Sequence, residues 1–424
     1  METSKTYFPG LNGLRFFAAF AVLVTHVEFT KKVMYHGDIY WLQIDKWISG
    51  NAFTSITEGG PHGPIHWLSP FVTQGGYMGV IFFFVLSGFL ITYLLLEESR
   101  VKKKIAIGKF YMRRILRIWP LYFFVTLLGF FILHHIPWFE VVSQEDEFFK
   151  HFGLNLICYV FMLPNLAFAF VMEAVPNLGQ LWSIGVEEQF YLMWPLLLAF
   201  SKRPMRTITL FLIGVLTLKA IFYAWIHFVA KPPALDPDLM IYSPIETAKR
   251  FVGTLKFESM ALGGLGACLV FYRKESWLTW IYHTSVQFLA YASIPLIVLF
   301  TPKSLYSLLY LLFSVPFLII IMNVGCNVNS ILHLRGRVFD FLGRISFGIY
   351  MYHLICIAFA FHAIDYFCDF DERLTGWESA LLYICSIPLT ILVSWLSHEY
   401  IEKLFIRKKR QYTTIISGDE ARES

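Results

Sequence analysis

Apolar runs of membrane length recur through the whole chain, and they restrict its possible folds more than any other feature. A helix needs about 20 predominantly apolar residues to cross a bilayer. The chain is 57% hydrophobic and only 15% charged, whereas soluble domains average about 25% charged residues. We therefore predict an all-α fold, a polytopic transmembrane helical bundle of about ten spans, at residues 11–29, 78–97, 116–135, 187–201, 206–229, 257–272, 279–300, 304–323, 341–364 and 378–401.

One further apolar stretch, residues 153–171, decides the topology. If it crossed fully, the basic cluster 202–206 would lie outside, against the preference for positive loops in the cytoplasm. We therefore interpret it as a short re-entrant or interfacial segment. The prediction is then a multi-pass protein of the cell (inner) membrane with both termini cytoplasmic. Residues 1–405 would form the transmembrane domain, and 406–424 a polar cytoplasmic tail without fixed structure.

Several other classes of protein are not indicated. The six cysteines are scattered without Cys-x2-Cys or Cys/His ligand spacing, so neither a disulfide framework nor a zinc site is expected. His62 and His66 lie in a long external loop, predicted at about 30–77, with no third ligand nearby. The net charge of +5 does not indicate nucleic acid, because basic loops also set membrane orientation. Nothing in the sequence indicates an oligomeric state, and the bilayer itself is the expected partner.

The first span carries two ionisable residues, Arg15 and His26. Eleven residues at 100° each bring the two side chains to within about 20° of one another, about 16 Å apart along the axis. Ionisable groups at membrane depth are costly and usually face a partner or a water-filled cavity. We therefore expect Arg15 and His26 to belong to a site, with Arg15 nearer the cytoplasm and His26 nearer the outside.

A second motif opens the third span from the cytoplasmic side. Arg113 and Arg117 lie one turn apart on a cationic stripe, and Arg114 stands beside it. Arginine binds phosphate bidentately, so a nucleotide or coenzyme A is a possible ligand. On spacing alone, an anchor that touches lipid headgroups is an equally good interpretation.

Two adjacent carboxylates, Glu187 and Glu188, enter an aromatic apolar run at the outer end of their span. They point about 100° apart on a helix, so they cannot face the same surroundings. One hypothesis is that one of them orients His26 or pairs with Arg15. The alternative is a charged helix mouth without a role in chemistry.

Polar residues also mark two later spans. Ser346, Tyr350 and His353 recur at positions i, i+4 and i+7, which places them on one face of an apolar helix. His353 is equally consistent with a hydrogen-bonded core histidine. Glu258 belongs to a charged pair at the mouth of its span and is either a substrate contact or an interfacial charge. In span two, Ser87 and the small residues after it indicate close helix packing.

Taken together, these motifs resemble the acyltransferase-3 family of integral-membrane acyltransferases over nearly the whole chain. Each motif is weak alone, but their order and spacing are specific. The motifs are Arg15-x10-His26, Phe110-x2-Arg-Arg-x2-Arg-Ile-x-Pro-x-Tyr122, Leu181-Trp-Ser-x3-Glu-Glu-Gln-Phe-Tyr191 and Ser346-x-Gly-Ile-Tyr-x2-His353.

The resemblance implies transfer of an acyl group, most often acetyl, from cytoplasmic acyl-CoA (acetyl-CoA) to a hydroxyl of an extracytoplasmic glycan or lipid-linked saccharide. It implies that His26 is the catalytic histidine, as general base or acyl carrier, with Arg15 its charged partner and the cytoplasmic arginines at the donor entrance. A transporter or flippase for a lipid-linked sugar or acylated small molecule is the alternative. A non-catalytic receptor or scaffold is a weaker alternative.

Overall fold

The computed structural model describes residues 4–36, 69–139, 145–170, 175–230, 243–301, 309–368, 376–413 and 415–417. The predicted external loop with His62 and His66 lies largely outside this part of the chain. The helices are α1 (Leu11–His36), α2 (Ser69–Lys102), α3 (Ile107–Phe131), α4 (Glu145–Lys150), α5 (Phe152–Val160), α6 (Pro164–Phe170), α7 (Leu181–Ala199), α8 (Pro204–Trp225), α9 (Pro244–Thr254), α10 (Phe257–Phe271), α11 (Glu275–Tyr282), α12 (Thr284–Phe300), α13 (Leu309–Cys326), α14 (Arg337–Arg344), α15 (Ser346–Cys368), α16 (Gly376–Ser397) and α17 (Lys403–Lys409).

The prediction of an all-α polytopic bundle is confirmed. Within the described ranges, seven helices are long and apolar enough to cross a membrane, and the α11–α12 pair, bent by 61°, makes an eighth if it is one span. Two further predicted spans fall on α13, a shorter apolar helix, and on α7, which carries two glutamates. Each of the ten predicted ranges thus overlaps a helix in the described part of the chain, although the count of ten crossings stays a prediction.

The ambiguous stretch 153–171 does not form one continuous helix. It is divided into α5 and α6 by a break in which Met162 has a positive φ of 59°. Neither half is long enough to cross a bilayer, which takes about 20 residues. Helix α6 packs against α7 and α9 instead.

Helix α2 lies at the centre of the bundle because glycines let its neighbours approach closely. A Cβ atom added at Gly79 would lie 2.4 Å from the Ala18 carbonyl oxygen of α1, and one at Gly88 would lie 1.9 Å from the Met260 oxygen of α10. Small residues of this kind are what membrane helices use for close contact. The contacts hold α1, α2 and α10 together as the core around which the site is built.

The two ends of the chain meet. Strand β1 (Ser4–Thr6) pairs in parallel with β2 (Ile415–Ser417). Strand β1 precedes the first span and β2 follows the last one. If the two paired strands lie on one side of the membrane, the number of crossings between them is even. The expected lack of structure after the last span is wrong for much of the tail, because α17 packs against α3 and Arg113 donates a hydrogen bond to the Tyr412 carbonyl oxygen (2.9 Å).

Candidate active site

One cavity gathers residues from four motifs that are far apart in the sequence. It has a volume of about 130 Å³ and lies between α1, α2, α3, α7 and α15. Its polar and charged lining consists of Arg15, Ser87, Arg114, Arg117, Ser183, Glu187, Tyr191, Ser346 and Tyr350. Three arginines face one glutamate in this lining, so the cavity carries an excess of positive charge and suits an anionic ligand.

Glu187 is the carboxylate that lines the cavity. Its two oxygens accept hydrogen bonds from the Ser87 hydroxyl at 2.9 Å and from the Tyr191 hydroxyl at 2.8 Å. The Tyr191 oxygen also lies 3.1 Å from that of Ser87, so the three side chains form a connected group. An ionised carboxylate only accepts hydrogen bonds, and this arrangement supplies both of its oxygens with donors.

Glu188 points elsewhere. One of its oxygens accepts a hydrogen bond from the Trp119 indole at 3.1 Å, while the other is buried without a hydrogen-bonding partner among the described residues. The hypothesis that Glu187 or Glu188 orients His26 is wrong, because the contacts of both carboxylates are to other residues. The side chains of Glu187 and Glu188 have different contacts because adjacent residues on a helix point about 100° apart.

The partner of His26 is another histidine. The Nε2 atom of His353 lies 3.3 Å from the Nδ1 atom of His26, and the ring centroids are 4.8 Å apart. His26 Nδ1 also bonds to the Val22 carbonyl oxygen at 2.8 Å, and His353 Nδ1 bonds to the Tyr350 carbonyl oxygen at 2.7 Å. His353 is completely buried, whereas His26 is partly exposed.

This histidine pair is linked to the cavity through Tyr350. The Tyr350 ring lines the cavity, and its centroid lies 5.8 Å from that of His353. Its hydroxyl donates to the Gln180 carbonyl oxygen at 3.0 Å and lies 2.7 Å from the Ser183 hydroxyl, so it ties α15 to the start of α7. The stripe of Ser346, Tyr350 and His353 therefore runs from the cavity to His26.

The three arginines of α3 have different surroundings. Arg114 and Arg117 line the cavity, and the guanidinium of Arg114 lies 5.9 Å from the centre of the Tyr191 ring. Arg113 instead forms an ion pair with the buried Glu98 at 2.9 Å. A second, smaller cavity of about 40 Å³ lies on this side and is lined by both Arg113 and Arg114, so Arg114 borders both spaces.

Arg15 and Ser346 both line the cavity. Arg15 Nη1 donates to the Asn12 side-chain oxygen at 3.0 Å, and the Ser346 hydroxyl donates to the Gly343 carbonyl oxygen at 2.8 Å. A Cβ atom at Gly343 would lie 2.4 Å from the Asn12 carbonyl oxygen, which shows how closely the start of α1 approaches α14. The partners of Arg15 and Ser346, Asn12 and Gly343, are thus in close contact.

Glu258 does not line this cavity. It is fully buried and pairs with Lys219 of α8, with 2.6 Å between Nζ and Oε1. Sequence reasoning missed Lys219, although a single lysine within an apolar span was a usable signal. It also missed Ser87 and Tyr191 as lining residues, because side chains of this kind are common where helices pack.

Comparison with known proteins identifies the family. Residues 8–399 match the family model described as an acyltransferase domain, that of the acyltransferase-3 family. The chain belongs to the acyltransferase-3 family. It is 26% identical over 432 residues to the O-acetyltransferase OatA of Staphylococcus aureus (strain NCTC 8325 / PS 47), covering 96% of this chain and 58% of that protein. To YrhL of Bacillus subtilis (strain 168) it is 28% identical over 409 residues, covering 94% and 54%.

A third relative is the peptidoglycan O-acetyltransferase OatA of Listeria monocytogenes, with 25% identity over 240 residues, which are 56% of this chain and 32% of that protein. The chain thus spans less than two thirds of the length of the curated relatives it matches. No solved structure matches it.

Proposed function

We propose that this acyltransferase-3 protein moves an acetyl group from cytoplasmic acetyl-CoA to a hydroxyl of a glycan outside the membrane. The names of its relatives make peptidoglycan, or its lipid-linked precursor, the acceptor to test first. The single observation that carries the proposal is the cavity in which the arginines of α1 and α3, Glu187 and Tyr350 meet, with the Tyr350 ring joining its lining to the His353–His26 pair.

The donor end of the site would be formed by Arg114 and Arg117. They stand on α3, close after the basic segment that we place in the cytoplasm, and guanidinium groups bind phosphate bidentately. Arg114 borders both cavities and would contact a donor that passes from one to the other. Arg113 is assigned a structural role, because Glu98 and the Tyr412 carbonyl oxygen already hold it.

The reacting group would be the imidazole of His26. It removes the proton from the acceptor hydroxyl while the hydroxyl oxygen bonds to the thioester carbonyl carbon. The carbon–sulfur bond then breaks, and the CoA thiolate leaves with the electron pair. General-base catalysis of this kind contributes about 10²–10⁴-fold. The same ring nitrogen could instead take the acyl group first and pass it on as an acyl-histidine.

Arg15 and the other cavity arginines would hold the anionic donor and stabilise the negative charge that it carries in the cavity. Preorganised donors at such positions act strongly because little water competes with them. Glu187 partly offsets the positive charge, and Ser87 and Tyr191 hold it in place. No metal is part of this mechanism.

The proposal is tested with the purified protein, acetyl-CoA labelled in the acetyl group, and peptidoglycan fragments as the acceptor probe. We expect label to appear in the glycan, with a gain of about 42 Da per modified sugar, the mass difference of an acetyl ester. Movement of a lipid-linked glycan across reconstituted vesicles without label transfer would contradict the proposal and indicate the transporter instead.

A further inference from the structure

We infer that His353 is a positioning residue that holds the orientation of the His26 ring and, together with the Val22 carbonyl oxygen, its tautomer. The inference rests on the proposed function, in which His26 acts on the acceptor. It concerns the pair of imidazoles where α1 meets α15, whose closest nitrogens are 3.3 Å apart.

The protons of the two rings follow from their backbone contacts. A carbonyl oxygen only accepts hydrogen bonds, so the ring nitrogen facing it must carry a proton. His353 Nδ1 faces the Tyr350 carbonyl oxygen at 2.7 Å and is therefore protonated. In a neutral ring, His353 Nε2 is then an acceptor, and it faces His26 Nδ1.

His26 Nδ1 is protonated for the same reason. It faces the Val22 carbonyl oxygen at 2.8 Å as well as the acceptor nitrogen of His353 at 3.3 Å, and its N–H is shared between them. In the neutral ring the lone pair is then on Nε2, for which the described residues offer no hydrogen-bonding partner. The atom left to act on a substrate is therefore His26 Nε2.

The roles of the two rings are not interchangeable. His353 is fully buried, and both of its nitrogens are engaged, one by the Tyr350 carbonyl and one by His26. His26 is partly exposed and has one free nitrogen. His353 therefore has no atom with which to touch substrate, and it acts through His26.

The arrangement also stabilises the charge that forms on His26. When Nε2 takes the proton of the acceptor hydroxyl, the ring becomes an imidazolium and its Nδ1–H becomes a stronger donor. Its two acceptors, the Val22 carbonyl oxygen and His353 Nε2, are already in place. His353 stays neutral throughout, and no proton passes to it.

The helices that carry the two rings are themselves held in register. Thr25, next to His26, donates to the Val72 carbonyl oxygen and accepts from the Gly76 backbone amide of α2, both at 2.6 Å. Tyr350, one turn before His353, is tied to α7 through Gln180. The short approach of the rings is thus fixed from both sides, as a positioning contact requires.

The test compares two substitutions of His353. In His353→Leu the acceptor nitrogen is lost, and we expect kcat for acetyl transfer to fall about 10- to 100-fold, the effect of losing a hydrogen bond to a charged group. The KM for acetyl-CoA should not change. In His353→Gln the side-chain amide oxygen can accept from His26 Nδ1, so most of the lost kcat should return.

Tyr352→Phe is the matched control. Tyr352 is buried on the same helix and donates to the Ser397 hydroxyl at 3.0 Å, away from the site. The Tyr352→Phe variant should lose one buried hydrogen bond, as His353→Leu does, but without a change in kcat. The Tm and the size-exclusion profile in detergent are measured for every variant. The kcat values are compared only among variants in which both are unchanged.

The inference is overturned if His353→Leu keeps the kcat of the unaltered protein, or if a folded His353→Gln is as impaired as His353→Leu. Failure of the proposed function gives a different result. In that case the unaltered protein would transfer no label to the glycan, or His26→Ala would transfer acetyl at the unaltered rate.

Discussion

At the scale of single residues, the site depends on which member of an adjacent pair faces the cavity. Glu187 faces it while Glu188 bonds to Trp119, and Arg114 faces it while Arg113 bonds to Glu98. Neighbours on a helix differ by 100° in direction, so the sequence names both candidates but cannot choose between them. The choice follows from how each helix is rotated in the bundle.

Substitution of the two arginines should therefore have different consequences. Arg114→Gln removes a guanidinium from the cavity, and we expect the KM for acetyl-CoA to rise by about tenfold or more, as for the loss of a charge-assisted bond. Arg113→Gln breaks a buried ion pair and should lower the free energy of unfolding by about 3–5 kcal/mol. Steady-state kinetics and thermal unfolding in detergent measure the two effects.

A larger rise in KM from Arg113→Gln than from Arg114→Gln would contradict the assignment of donor binding to Arg114.

The two glutamates offer a second comparison. Glu187→Gln removes the carboxylate that lies against the cavity arginines, and we expect kcat/KM to fall about tenfold or more because charged hydrogen bonds are lost. Glu188→Gln keeps an oxygen for the Trp119 indole and should leave kcat/KM nearly unchanged. The assignment of Glu187 to the site fails if the two variants are equally impaired.

At the scale of helices, close packing of α2 determines where the polar side chains meet. Gly88 allows α10 to approach α2 closely, and the adjacent Ser87 donates a hydrogen bond to Glu187 of α7. In the sequence, the segment that begins at Ser87 indicates close helix packing. That interpretation holds for Gly88, but Ser87 also lines the cavity.

Gly88→Ala tests this packing. The new Cβ would lie 1.9 Å from the Met260 carbonyl oxygen, so the helices must separate, and overpacking of this kind costs about 1–3 kcal/mol. We expect a lower Tm and reduced activity. Gly108→Ala is the control, because a Cβ there meets nothing within 4 Å and alanine favours the helix. Equal Tm values for the two variants would contradict the close contact.

The sequence was sufficient to predict the helices, since hydrophobicity is a local property of each segment. It also named many residues that line the candidate cavity, from charges in apolar spans and from helical spacing. It could not identify their partners. The pairing of Lys219 with Glu258 and of His26 with His353 joins helices that are distant in the chain, and such contacts depend on the relative rotation of several helices at once.

At the scale of the whole molecule, the proposed function puts the donor and acceptor sites along one axis of the bundle. In the proposed orientation the α3 arginines lie toward the cytoplasm, and His26 lies nearer the outside. The β1–β2 pair joins the segments that precede α1 and follow α17, in agreement with an even number of spans. The acyl group would therefore pass through the protein from one side to the other.

Reporter fusions test this orientation. We expect reporters at the N-terminus, at the C-terminus and after Arg206 all to lie in the cytoplasm, because the basic loops then lie inside. A reporter placed between α8 and α9 should lie outside. An external signal from the fusion after Arg206 would overturn the proposed topology.

The central claim is that His26 performs the transfer, and the most direct test is the rate of label transfer from acetyl-CoA to peptidoglycan fragments by His26→Ala. We expect kcat to fall by about 10²–10⁴-fold, the usual contribution of general-base catalysis, while the affinity for acetyl-CoA and the Tm stay unchanged. A folded His26→Ala protein that transfers acetyl at the rate of the unaltered enzyme would contradict the claim.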